Sequence, residues 1–78
     1  MSYKIIIETT SSRKRAQSHI NALKNMNITG FIETLNLDHQ TLYSVQAGPY
    51  DYKKDALVNV DKIKRLGVRN AFITSAEL

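Results

Sequence analysis

Period-two alternation opens each half of the chain. Tyr3, Ile5 and Ile7 stand at every second position near the start, and Tyr43, Val45 and Ala47 repeat the pattern forty residues on. Side chains two apart on an extended backbone share a face, so each run predicts a strand with one covered side. The spacing then changes to that of a helix. Ala16, Ile20 and Leu23, and later Ala56, Val60 and Ile63, form single apolar stripes that must be buried against something. Ser12 and Asp51 stand where they would cap the helix starts, and Asn27 and Gly67 suit the left-handed residue that ends a helix. Arg13, Lys14 and Arg15 crowd the first turn of the first helix, where the macrodipole disfavours cations. A short strand follows each helix, over residues 29–35 and 70–74, and residues 36–41 read as a polar turn between the halves.

The two halves align with each other throughout. Ala16, Ile20, Leu23, Lys24 and Met26 fall on Ala56, Val60, Ile63, Lys64 and Leu66, and Gly30-Phe31-Ile32 falls on Ala71-Phe72-Ile73 after a shift of one. Two copies are too few for a solenoid, so the halves, residues 3–36 and 42–76, are expected to fold together as one domain with internal pseudo-twofold symmetry. The element order is βαββαβ. Short connections and right-handed crossovers then favour an α+β, ferredoxin-like fold: a four-stranded antiparallel sheet with two helices on one face. Alternation turns Ile5, Ile7, Val45, Ala47, Ile32 and Ile73 toward the helices. It turns Lys4, Ile6, Glu8, Ser44, Gln46, Phe31, Glu33, Phe72 and Thr74 toward the open face.

Length and composition limit the chemistry available. Seventy-eight residues form one modest core rather than a deep cleft between domains. The absence of cysteine excludes disulfides and zinc–thiolate sites, so apolar burial alone must hold the fold. The formal charge of +4 favours polyanionic partners, among them nucleic acid, an acidic membrane surface and an anionic cell wall. The longest aliphatic run, Ile5–Ile7, is far too short to cross a bilayer, and Met1-Ser2-Tyr3 does not open a signal peptide. A role outside the cell therefore implies that the domain is part of a longer exported chain.

The run Leu42-Tyr43-Ser44-Val45-Gln46-Ala47-Gly48-Pro49-Tyr50, followed by Ala56, Leu66-Gly67-Val68 and Ala71-Phe72-Ile73, resembles the second half of a SPOR domain, the sporulation-related repeat of bacterial division proteins and cell-wall amidases. The first half repeats the plan with Tyr3, Ile5, Ile7, Ser11-Ser12 and Ala16, so the resemblance covers nearly the whole chain. It implies a non-catalytic module at the cell envelope or outside the cell. Such a module binds peptidoglycan glycan strands, particularly those stripped of stem peptides, through the open sheet face, and targets a parent protein such as a lytic amidase, an endolysin or a division protein. The first strand departs from the family pattern, with Ile6 in place of glutamine, Glu8 in place of glycine and Thr10 in place of an aromatic residue. The second half keeps the glutamine as Gln46. Either binding has moved toward the third strand, or this copy is degenerate and the ligand differs; on the first reading the glycan-binding set that the resemblance implies is Gln46, Ser44, Ile6, Lys4, Phe72 and Phe31.

Gln46 offers both a donor and an acceptor to sugar hydroxyl and acetamido groups. Phe31 and Phe72 occupy matching positions and offer faces for stacking, provided the outer-strand register does not turn them inward. Tyr50 reads as packing over the strand-to-helix turn. His19 and His39 have no third partner at metal spacing, and no serine, histidine and carboxylate constellation appears, so neither a cofactor nor catalysis is expected. Two alternatives remain: an interaction or regulatory domain that pairs through an outer strand, and an RNA-recognition-like domain binding single-stranded nucleic acid, which shares this fold and would use exposed phenylalanines for stacking. The third strand lacks the basic and paired-aromatic consensus of that module.

Overall fold

A computed structural model gives the structure of residues 1–76. Its elements run β1 (Ser2–Thr10), α1 (Arg13–Asn25), β2 (Gly30–Leu37), β3 (Gln40–Tyr50), α2 (Lys53–Arg65) and β4 (Phe72–Ala76). The strands form one antiparallel sheet in the order β2-β3-β1-β4, the expected α+β arrangement. Both helices lie on one face. Ile5, Val45, Ala47, Ala16 and Ala56 are completely buried, and Leu23, Val60 and Ile63 join them. Alanine at positions 16 and 56 lets each helix approach the sheet closely, while Ile20 is partly buried at the margin of the core.

The helix ends follow local chemistry. Ser12 Oγ accepts from the Arg15 backbone N–H at 3.0 Å, and Asn27 and Gly67 have φ of 59° and 107°. Asp51 does not cap α2. Tyr52 holds that place with no side-chain hydrogen bond, and Asp55 supplies the negative charge of the first turn. The cations opening α1 find a partial answer in Arg15, which reaches back to pair with Glu8.

Two boundaries differ from expectation. β2 and β3 stay paired out to Leu37 and Gln40, leaving only Asp38 and His39 as the turn where residues 36–41 were expected to form one. Polar side chains do not end a ladder whose backbone groups pair, and Thr41 bonds Asn36 across it at 3.3 Å. β4 starts two residues later than expected because Arg69 and Asn70 form a turn, with the Ala71 N–H donating to the Val68 carbonyl.

A bulge in β1 produces the main correction. Ile6 stands opposite Gln46, but the next partner pair is Glu8 with Val45, so Ile7 is an extra residue. Two residues of a bulged strand then face one partner, and both Ile7 and Glu8 turn toward the helices. Simple alternation had put Glu8 on the open face. It lies instead beneath α1, bonded to Arg15 and, at 3.3 Å, to His19. Beyond the bulge Thr9 pairs with Ser44 and returns to the open side.

Candidate binding face

The register assembles one row across all four strands. Phe31 of β2 stands opposite Gln46 of β3, Gln46 opposite Ile6 of β1, and Ile6 opposite Phe72 of β4. Neighbouring positions on this side are Lys4, paired with Thr74, and Ser44, paired with both Glu33 and Thr9. All six residues of the expected set thus share the face away from the helices. Phe72 is 55 % exposed and Phe31 half-buried, so the outer-strand register leaves both rings on this face and out of the core.

Gln46 differs from an ordinary strand residue on an open face, because it is only 4 % exposed. Phe31 and Ile6 flank it on the adjacent strands. Its Nε2 donates to Glu33 Oε2 at 2.8 Å and to Ser44 Oγ at 3.0 Å. A carboxylate only accepts, so Glu33 fixes which edge of the amide carries the nitrogen. Gln46 Oε1 is left buried without a hydrogen-bond partner. Glu33 thus holds the Gln46 amide in one orientation. The sequence placed it on the right face, but nothing in the alternation pairs it with a residue on another strand.

Lys4 supplies the cation of this face. Its ammonium lies 5.8 Å from the centre of the Phe31 ring, and since β3 separates the two strands, the side chain must cross β3 to get there. On β3, Gly48 has φ of 114°, and an added Cβ there would meet both the Tyr3 carbonyl oxygen and the Tyr50 ring at 3.1 Å. Tyr50 packs against the core, and its hydroxyl is pushed above the ordinary tyrosine pKa by burial and then by the charge of Asp55.

At the β4 end of the row, a groove of about 470 Å3 opens between the bulged half of β1 and the loop before β4. Ile6 and Phe72 contribute to its wall, with Thr9, Arg15 and Arg69 beside them. Arg15 is occupied by Glu8, whose carboxyl it holds below the ordinary glutamate pKa by hydrogen bonding. Arg69, outside the expected set, adds a cation next to the row. It lies in a turn, where strand periodicity carries no information about direction.

Among the described residues there is no group of three or more histidine, cysteine, aspartate or glutamate side chains able to hold a metal, and no helix is long and apolar enough to cross a membrane. Glu8 and Glu33 lie on opposite sides of the sheet, so they do not form a pair of carboxylates flanking a common bond.

The model of the SPOR domain family matches residues 2–74. No curated protein matches the chain in sequence. Among solved structures, the crystal structure of the RlpA SPOR domain from Pseudomonas aeruginosa superposes with a TM-score of 0.83 at 16 % identity, covering 97 % of this chain and 100 % of that one. The solution structure of the peptidoglycan binding domain of the B. subtilis cell wall lytic enzyme CwlC superposes with a TM-score of 0.77 at 22 % identity, covering 97 % of this chain and 90 % of that one. At these identities the two structures establish a shared fold.

Proposed function

The chain belongs to the SPOR domain family, and on that premise we propose that it is a non-catalytic cell-wall binding module that takes peptidoglycan glycan strands on the open sheet face. The observation that carries this reading is the row Phe31, Gln46, Ile6, Phe72, in which an unpaired amide oxygen lies between apolar side chains on a face the helices leave bare. A sugar ring presents this combination in reverse, with apolar C–H faces for stacking and hydroxyl or acetamido groups for hydrogen bonds. The structural neighbour from the lytic enzyme is itself a peptidoglycan binding domain, which supports the same ligand class.

Strands freed of stem peptides suit the face better than intact ones. Removing the peptide clears bulk from the strand and leaves a carboxylate on the muramic acid lactyl group, and Arg69 beside the row offers that anion a partner. The module's role in this reading is to bring a parent protein to the cell wall in the envelope or outside the cell.

Co-sedimentation with purified sacculi, before and after an amidase removes the stem peptides, tests the proposal. Binding that strengthens after amidase treatment, and that single-stranded RNA does not compete away, is the expected result. Absence of binding to both preparations at moderate salt would overturn it, as would preferential capture of the RNA.

A further inference from the structure

Gln46 Oε1 is the only buried side-chain nitrogen or oxygen among the described residues that lacks a hydrogen-bond partner. Both hydrogens of its Nε2 are directed to acceptors, Glu33 Oε2 and Ser44 Oγ, and turning the amide over would set its oxygen against the Glu33 carboxylate. What remains for a ligand at this point is therefore an acceptor alone. Ile6 and Phe31 enclose it on the neighbouring strands, and the Lys4 ammonium lies over the Phe31 ring.

We infer that this oxygen reads a neutral N–H donor on the ligand, the acetamido group of an N-acetylated sugar, so that the face selects acetylated glycan over the same glycan after de-N-acetylation. The inference rests on the glycan reading above and adds the group being recognised. An acetamido substituent carries its N–H beside a methyl group, matching an acceptor set among apolar side chains. The ammonium left by de-N-acetylation has no methyl group to pack there. It would have to shed hydration between Ile6 and Phe31 while facing the like charge of Lys4. Since Gln46 is 4 % exposed, the ligand reaches its oxygen only as the side chains around it give way.

The test compares three preparations of amidase-treated sacculi at one salt concentration: native, chemically de-N-acetylated, and de-N-acetylated then re-acetylated with acetic anhydride. Wild-type binding should fall about ten-fold on de-N-acetylation, the effect of one well-made hydrogen bond, and return on re-acetylation. De-N-acetylation also makes the wall more positive, which repels a basic domain without any specific site. Gln46→Leu separates the two effects, because a charge effect would persist in that variant whereas the proposed recognition requires its discrimination to vanish. Glu33→Gln, a change at an exposed position, frees the amide to turn over and should shrink the ratio while the domain stays folded. Equal wild-type binding to native and de-N-acetylated sacculi would overturn the inference and leave the glycan reading standing. Undiminished discrimination in Gln46→Leu and Glu33→Gln would overturn it too. Failure to bind any of the three preparations would remove the glycan reading itself.

Discussion

Replacing Gln46 with leucine separates what this residue does for the fold from what it does for a ligand. The wild-type amide makes two hydrogen bonds, each worth about 1 kcal/mol net, with the one to the Glu33 carboxylate toward the upper end. Against these stands a buried oxygen with no partner, a cost of about 1–3 kcal/mol. Leucine removes all three and fills a similar volume with apolar atoms, gaining roughly 1 kcal/mol of burial. Exposed Glu33 returns to water, while Ser44, 5 % exposed, loses an acceptor role. The contributions nearly cancel, so stability should lie within about 1 kcal/mol of wild type, or roughly 4–8 °C in Tm for a domain of this size. Affinity for glycan should nevertheless fall about ten-fold or more. Thermal unfolding followed by circular dichroism and a sacculus co-sedimentation isotherm read the two quantities on the same samples. Destabilisation beyond about 3 kcal/mol would show that Gln46 holds the sheet together, and unchanged affinity in a folded variant would show that the ligand lies elsewhere.

Phe72→Ala should weaken wall binding with little change in Tm, since the ring is 55 % exposed and packs mainly against solvent; a large stability loss in thermal unfolding would contradict this. Ile63→Ala, at 1 % exposure, should cost about 2–5 kcal/mol, read as a fall in the denaturation midpoint. The carboxyl of Glu8 is held below its ordinary pKa, chiefly by the Arg15 hydrogen bond, so the folded state resists its protonation. Its stabilising contribution is present above the ordinary glutamate range and is lost as pH falls through the lowered folded value. Glu8→Gln should therefore flatten the acid limb of a Tm-against-pH curve, and an unchanged limb would contradict the pairing. Raising salt should weaken wall binding in part and leave a residual component, measured by repeating the isotherm across salt concentrations, because stacking and neutral hydrogen bonds are not screened.

Much of this arrangement was legible from period and repeat. Val45 and Ala47 against Ser44 and Gln46 follow strict alternation along β3, Ile5 keeps to the pattern ahead of the bulge in β1, and the stripes of Ala16, Leu23, Val60 and Ile63 fall on the sheet as helical spacing requires. Glu8 falls on the other side because alternation presumes an unbroken ladder, whereas the extra residue at Ile7 is set by the flanking pairs that Ile6 and Glu8 make with Gln46 and Val45 of β3, distant in sequence. The burial of Gln46 was also hidden. A glutamine on a sheet face reads as solvated until Phe31 and Ile6 close beside it and Glu33 takes its amide, and those contacts join three strands. Arg69 escaped notice for a related reason: a turn residue's direction depends on where the chain is carried after α2.

The central claim, that the open sheet face holds glycan, is tested most directly by titrating the isotopically labelled domain with soluble, peptide-free glycan strands and following the amide resonances by NMR. The account predicts saturable shifts concentrated at Lys4, Ile6, Phe31, Gln46 and Phe72, with the Gln46 side-chain amide among them and the outer surface of α2 silent. Shifts centred on the exposed α2 residues Leu57 and Val58, or a spectrum that does not change, would contradict it.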